Sequence, residues 1–173
     1  MDQLTGRLGG RLYRAITTWP DRAGWTFSAG VGTATLAAMA AVGFSGSLYA
    51  LHPAATHGLA WRMLSVLIAP AIGEELVFRG LLVPDRHEAA SPWAWLVVAT
   101  AVFTAWHVVE AKTFLPAAAP MFLRPDFLVC AALLGAGCGL IRWRTASLWP
   151  GVALHWTMVM LWQTWLGGFT LQG

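Results

Sequence analysis

Apolar segments long enough to cross a lipid bilayer restrict the fold of this chain more than any other feature of its sequence. The segment from Trp25 to about Leu51 carries no charged residue, and one spanning helix requires about 20 apolar residues. Charged residues make up 11% of the 173-residue chain, against about 25% in an average soluble domain. The sequence therefore predicts an integral membrane protein.

Prolines and charged residues divide the chain into successive apolar segments. Because lipid cannot hydrogen-bond an exposed backbone, each segment is expected to be helical. The predicted fold is an all-α polytopic membrane helix bundle of about five transmembrane helices. Four spans are predicted at residues 25–51, 59–83, 93–111 and 126–141, and a fifth follows Pro150 and ends near Leu166.

The N-terminal residues 1–24 are predicted to form a separate amphipathic, interfacial segment, and residues 25–173 a single transmembrane domain. Arginines surround apolar residues at four-residue spacing, a pattern typical of a helix that lies on a membrane surface. These apolar residues are Leu4, Leu8, Leu12 and Ile16. Three glycines in the segment weaken a helix, so a frayed basic tail is the alternative.

The connections between the spans are polar or rich in proline. Residues 85–88 are predicted to form a solvated loop, and Arg142 and Arg144 are expected to mark a membrane interface. The stretch from Lys112 to Pro125 contains three prolines and predicts either a surface loop or a re-entrant segment that could gate access to a site.

Basic residues lie between the apolar segments instead of forming one patch, so they indicate membrane topology and not a nucleic-acid surface. An excess of lysine and arginine marks cytoplasmic loops. The predicted spans place seven basic residues on the side of the N-terminus and three on the other side. This excess predicts a cytoplasmic N-terminus. The seven are Arg7, Arg11, Arg14, Arg22, Arg86, Arg142 and Arg144; the three are Arg62, Lys112 and Arg124.

Three ionisable side chains interrupt the second span in the sequence Gly73-Glu74-Glu75-Leu76-Val77-Phe78-Arg79-Gly80. Charged groups at membrane depth are rare and usually functional. On an α-helix Glu75 and Arg79 share one face, so they can neutralise each other. Glu74 points about a quarter turn away and must find another partner or become protonated.

Two histidines on other spans are the predicted partners of Glu74. Measured from the predicted cytoplasmic helix ends, Glu74, His107 and His155 lie roughly 13, 21 and 12 Å deep, and helix tilt makes these depths compatible. A carboxylate beside an imidazole can activate a water, with a pH optimum that belongs to the coupled pair.

Zinc ligation is the competing chemistry for Glu74, His107 and His155, although the three lack the spacing of a single-helix zinc motif. Each buried histidine could instead bond a backbone carbonyl. The Glu75–Arg79 pair is best explained as a structural ion pair.

The motifs together resemble those of the CPBP family of intramembrane proteases, which includes type II CAAX prenyl endopeptidases and bacteriocin-processing proteins. The resemblance covers about residues 60–160. It rests on Glu74-Glu75-x-x-x-Arg79, on Phe103-x-x-x-His107, and on His155 after Ser147-Leu148-Trp149-Pro150. It implies that Glu74 and His107 activate water, that Glu75, Arg79 and Phe103 shape the site, and that His155 stabilises the oxyanion.

One position departs from the family pattern. The third motif usually carries Asn four residues after the histidine, and this chain has Val159. Loss of one oxyanion donor can lower the rate by about 10²–10³-fold. The site could rely on His155 alone, recruit Thr104 or a backbone N–H, or be impaired.

The resemblance implies a glutamic-type intramembrane endopeptidase that cleaves a membrane-anchored protein or peptide in the bacterial inner membrane. Neither a cofactor nor a metal is expected, with zinc left open. The alternative is a non-proteolytic immunity or scaffold protein of the same fold. A small transporter is a weaker alternative, because five spans without repeats make alternating access difficult to build.

Overall fold

The computed structural model describes residues 2–55 and 57–169, and these residues fold almost entirely into helices without a β-strand. The all-α prediction is confirmed. The main helices are α1 (Asp2–Thr17), α2 (Arg22–Ser45), α3 (Leu59–Val66), α4 (Trp93–Lys112), α5 (Ala119–Phe122), α6 (Pro125–Thr145) and α7 (Trp149–Trp165).

Helix α3 does not end at Val66 but continues through wide π-helical turns over Leu67–Glu74 and Leu76–Leu81. The predicted second span is therefore helical without being a regular α-helix. Pro70 lies inside the first wide turn and has no N–H to donate to the preceding turn. π-helical turns are rare and often occur at functional sites, and here they carry Glu74 and Arg79.

Five helical elements run alternately between two ends of the bundle. At one end Arg124 donates to the carbonyl of Gly46 at 2.8 Å, and the backbone of His52 bonds that of Trp165 at 2.9 Å. At the opposite end the N–H of Arg86 donates to the carbonyl of Trp143 at 3.0 Å. The elements are α2, the helix that starts with α3, α4, α6 and α7.

Among the described residues, three of these helices are long and apolar enough by themselves to cross a membrane, namely α2, α4 and α6. Helix α7 has 17 residues, and the wide turns interrupt the helix that starts with α3. The predicted number of five spans is thus approximate. The boundaries of α2 and α6 also differ from the predicted ones by several residues.

Helix α6 lies at the centre of the bundle and packs against α2, α4 and α7. Small residues allow this close packing. A side chain at Gly135 would meet Phe103 of α4, and one at Gly137 would meet Thr35 of α2. The central helix α6 thus contacts both α4 and α7, which carry the two predicted site histidines.

The N-terminal helix α1 docks on the end of the helix that starts with α3. Arg11 Nη1 donates to the carbonyl of Leu81 at 2.7 Å, and Arg14 Nε donates to Asp85 Oδ2 at 3.0 Å. The backbone N–H of Leu148 donates to the carbonyl of Ala15 at 2.8 Å. These bonds fix α1 to the loops at this end of the bundle.

The docking of α1 corrects two predictions about exposed charges. Asp85 is fully buried, so the expectation of a solvated loop is wrong at this residue, although Arg86, His87 and Glu88 are exposed. Burial alone would raise the pKa of Asp85, but the hydrogen bonds from Arg14 and from the His87 N–H hold that pKa below its ordinary value.

Arg142 was expected to mark a membrane interface, and the second correction is that the protein itself covers this residue, which is 1% exposed. Helix α1 covers it, and Arg142 Nη2 donates to the carbonyl of Arg11 at 3.4 Å. The carboxylate of Asp85 is among the charges that compensate this buried guanidinium.

The proline-rich connection between α4 and α6 packs inward. It contains a 3₁₀ turn at Pro116–Ala118 followed by α5. Ala118 is fully buried, and the ring of Phe122 stacks on that of Phe127 with centroids 4.6 Å apart. The inward packing rules out a simple surface loop at Phe122.

Candidate active site

A buried ion pair lies at the base of the predicted site. Arg79 Nη1 lies 3.0 Å from Glu75 Oε1, and each side chain is 1% exposed. The i,i+4 pairing predicted from the sequence is therefore present, although it spans a widened turn. His155 adds a contact that the sequence did not predict, because its Nδ1 lies 3.1 Å from the same Glu75 oxygen.

His155 lies between the two adjacent glutamates. Its Nδ1 hydrogen-bonds Glu75, while its Nε2 lies 3.8 Å from Glu74 Oε2. The second distance is close enough for an ionic interaction but too long for a hydrogen bond. Because a carboxylate accepts the Nδ1–H, Glu75 fixes the orientation of the imidazole and aims Nε2 toward Glu74.

His107 presents its other nitrogen to the same space. Its Nδ1 lies 3.0 Å from the carbonyl oxygen of Phe103. Since a carbonyl can only accept, Nδ1 carries the hydrogen, and Nε2 of the neutral ring is an acceptor. The sequence analysis gave a hydrogen bond to a backbone carbonyl as the structural alternative to catalysis for a buried histidine. His107 makes such a bond through Nδ1, and its Nε2 is still available for catalysis.

Phe103 packs among the polar residues and sets their spacing. The guanidinium carbon of Arg79 lies 4.0 Å from the centroid of the Phe103 ring. The same ring makes edge contacts with His107 at 4.8 Å and with His155 at 5.9 Å between centroids. Fully buried itself, the Phe103 ring contacts both imidazoles and the guanidinium of Arg79.

The polar groups open into a cavity of about 660 Å³. Its walls are mostly apolar and come from the helix that starts with α3 and from α4, α6 and α7. Glu74 is 14% exposed, and its Oε2 atom has no hydrogen-bond partner among the described residues. The structure thus brings the three predicted residues Glu74, His107 and His155 together at one cavity.

Glu110 also reaches this site and was missed by the sequence analysis. One ligand atom from each of Glu74, His107 and Glu110 lies within 4.8 Å of the others. A detectable signal was present, because Glu110 follows His107 by three residues and shares its helix face. The acidic character of the site is therefore greater than the sequence analysis predicted.

The three residues Glu74, His107 and Glu110 are also the cluster best able to bind a metal. The predicted zinc set contained His155 instead of Glu110. Ligand atoms around a tetrahedral zinc lie about 3.4 Å apart, given metal–ligand distances near 2.1 Å. The three ligand atoms all lie within 4.8 Å of one another, and one bridging water places its two acceptors about 4.5 Å apart, so the cluster can hold a water as well as a metal ion.

Val159 lines the cavity on the same helix as His155. The position that carries Asn in the family pattern therefore faces the site, and valine offers no donor there. Gln163 lines the cavity one turn further along. Thr104, which the sequence left as a substitute donor, lines a separate groove between α4 and α6 instead.

Comparison with protein families supports an enzymatic site. The family model described as "Type II CAAX prenyl endopeptidase Rce1-like" matches residues 56–161, a range that includes Glu74, His107 and His155. Comparison with curated proteins and with solved structures gives no significant match.

Proposed function

We propose that this chain is a glutamic-type endopeptidase with Glu74 as its general base, because it belongs to the Rce1-like type II CAAX prenyl endopeptidases of the CPBP intramembrane protease family. The substrate is a membrane-anchored protein or peptide. Processing of a CAAX-type end, a bacteriocin or a C-terminal sorting signal would fit this activity. The observation that carries the proposal is the convergence of Glu74, His107 and His155 on one cavity.

Water activation follows from the geometry of Glu74 and His107. Their polar atoms lie within 4.8 Å of each other, so one water can hydrogen-bond both. Glu74 Oε2 has no other hydrogen-bond partner among the described residues, and His107 Nε2 is an acceptor. The water can thus transfer a proton to this pair as its oxygen bonds to the scissile carbonyl carbon, and the pair can return that proton to the amine nitrogen as the C–N bond breaks.

His155 and the buried ion pair complete the mechanism. When both ring nitrogens of His155 carry protons, Nε2–H can donate to the oxyanion of the tetrahedral intermediate. Glu75 holds Nδ1 at 3.1 Å, and Arg79 balances the charge of Glu75. Glu75 and Arg79 act as positioning residues in this proposal, together with Phe103.

A comparison of membrane proteomes tests the proposed activity. Cells of the native host expressing the wild-type protein are compared with cells expressing Glu74→Gln at equal abundance. We expect at least one membrane protein to gain a new terminus only with the wild type, detected by mass spectrometry of terminal peptides. Identical termini in both samples would contradict the proposal.

Val159→Asn is expected to increase activity. The side chain at this position faces the cavity, and one oxyanion donor contributes about 10²–10³-fold. We expect kcat to rise by at least about 10-fold with a smaller change in KM, measured with purified protein. Val159→Leu is the matched control, and an equal response of both variants would argue against a missing donor.

Chelators are expected to leave the activity unchanged. Glu74 and His107 can activate a water by themselves, so the proposed mechanism needs no metal. The measurement is the hydrolysis rate before and after prolonged incubation with 1,10-phenanthroline, with metal content determined in parallel. If the chelator abolishes the activity and added zinc restores it, the mechanism depends on a metal and the proposed one is wrong.

A second candidate function is that of a non-proteolytic immunity or scaffold protein, which Val159 favours because the usual oxyanion donor is absent. The double variant Glu74→Gln/His107→Ala separates the two. Retention of the cellular function by this variant would support binding without catalysis. Loss of function, with normal abundance in the membrane, would support the protease.

The proposed location is the bacterial inner membrane with a cytoplasmic N-terminus. The distribution of lysine and arginine supports this orientation. In it, α1, Asp85 and Trp143 lie at the cytoplasmic end, while Arg62 and Arg124 lie at the outer end.

A further inference from the structure

Arg62 is the one lysine or arginine among the described residues that line the cavity. It lies near the start of α3, at the outer end in the proposed orientation. Its Nη1 atom is buried and has no hydrogen-bond partner among the described residues. A buried, unpaired guanidinium donor is costly, so this atom is well placed to bind an anion that arrives with a ligand.

One continuous helix face joins Arg62 to the catalytic carboxylate. Ser65, Val66, Ala69, Pro70 and Gly73 line the cavity between Arg62 and Glu74. Twelve residues of α-helix advance by about 18 Å, so in a helix with wide turns the Cα atoms of Arg62 and Glu74 are no further apart than this along the axis. A ligand bound along this face would therefore reach both ends of the cavity.

The length of this face suits a short peptide. An extended chain advances about 3.3–3.6 Å per residue, so a few extended residues reach from the guanidinium end of the face to the catalytic end.

We propose that Arg62 binds the C-terminal carboxylate of the substrate and thereby fixes which peptide bond lies beside Glu74. This inference rests on the proposed peptidase function. The carboxylate would otherwise enter a largely apolar cavity without a partner, at a high desolvation cost. Arginine pairs with carboxylates through two parallel hydrogen bonds, so it both compensates the charge and fixes the register.

The other charges of the cavity agree with this assignment. Glu74 and Glu110 lie with His107 at the catalytic end and would repel a carboxylate there. The substrate's negative end is thus directed toward Arg62, which leaves the scissile bond beside Glu74. A lipid phosphate is the other anion that Arg62 could bind, and varying the lipid composition of the assay distinguishes the two.

The test uses two peptides that differ only at the C-terminus. Each contains a farnesylated cysteine followed by Val-Ile-Ala, and it ends either in a free carboxylate or in an amide. The full-length protein is purified into lipid nanodiscs, and kcat/KM is measured for both peptides. We expect the wild type to prefer the free acid by about 10–100-fold, mainly through KM.

Arg62→Gln is expected to remove this preference, so that both peptides give equal kcat/KM. Arg62→Lys should retain part of it, because it keeps the charge without the planar donor pair. Lys112→Gln is the matched control: Lys112 is exposed at the end of α4, and its loss should leave the preference intact. A peptide with one residue inserted after the cysteine should be cut at the same distance from its C-terminus by the wild type and at mixed positions by Arg62→Gln.

Two results would overturn the role of Arg62. One is equal cleavage of acid and amide by the wild type, and the other is a preference that persists in Arg62→Gln. If Arg62 instead binds a lipid phosphate, its replacement would change activity only in nanodiscs that contain anionic lipid, equally for both peptides.

A binding measurement separates this inference from the proposed chemistry. Fluorescent versions of the two peptides are titrated onto Glu74→Gln with and without Arg62→Gln. If the wild type cleaves neither peptide but Glu74→Gln binds the acid more tightly through Arg62, the assigned hydrolysis fails and the carboxylate site stands. Equal binding of acid and amide would refute the carboxylate site, whatever the outcome of the hydrolysis assay.

Discussion

Glu74→Gln is expected to lower kcat by about 10²–10⁴-fold, the usual contribution of a general base. Glutamine keeps the shape of the side chain but cannot accept the proton of the attacking water. Because Glu74 Oε2 has no hydrogen-bond partner among the described residues, the replacement breaks no hydrogen bond of that atom, and KM should change little. The measurement is single-turnover hydrolysis by purified protein at several values of pH.

Glu110→Gln is the matched control for this prediction. Glu110 lies in the same cavity, within 4.8 Å of the other two groups, and undergoes the same chemical change. We expect less than about 10-fold loss, because general-base catalysis is assigned to Glu74. Cleavage at the parental rate by Glu74→Gln would disprove the mechanism, and a large loss confined to Glu110→Gln would transfer the base to Glu110.

Arg79→Met is expected to destabilise the protein by about 3–5 kcal/mol, the usual cost of removing one partner from a buried ion pair. Glu75 is 1% exposed and would lose its partner charge, and the contact of the guanidinium with the Phe103 ring would be lost as well. Unfolding in mixed micelles with increasing SDS measures the change.

Two further variants test the cause of that destabilisation. Arg79→Met/Glu75→Leu should recover part of the loss, because it removes the unpaired charge. Arg124→Met interrupts the more exposed pair with Asp126 and should have little effect on stability. A loss below about 1 kcal/mol in Arg79→Met would show that the pair does not hold the site together.

Local spacing and charge predicted much of the site. The Glu75–Arg79 pair follows from i,i+4 spacing, and the helix depths anticipated the approach of Glu74, His107 and His155. The contact between His155 and Glu75 could not be predicted, because it depends on the rotation of α7 about its own axis. Glu110 could have been found from its spacing to His107.

Residues whose environment depends on docking were predicted least well. Asp85 and Arg142 are charged and lie near helix ends, so composition alone favours exposure. They are buried because α1 folds back over them through Arg11 and Arg14, a long-range contact without a local sequence signal. The wide turns after Val66 were equally hidden, since Pro70 indicates an irregularity without specifying its form.

The wide π-helical turns have a consequence for how substrate choice could change. If the turns keep their present form, removing one residue between Leu67 and Gly73 would rotate the preceding part of the helix by roughly a quarter turn relative to the rest. Arg62 would then turn away from the cavity, while the contacts of Glu75 with Arg79 and His155 would be kept. Single-residue changes of length in this segment could therefore alter which peptide end is accepted and leave the hydrolytic machinery intact.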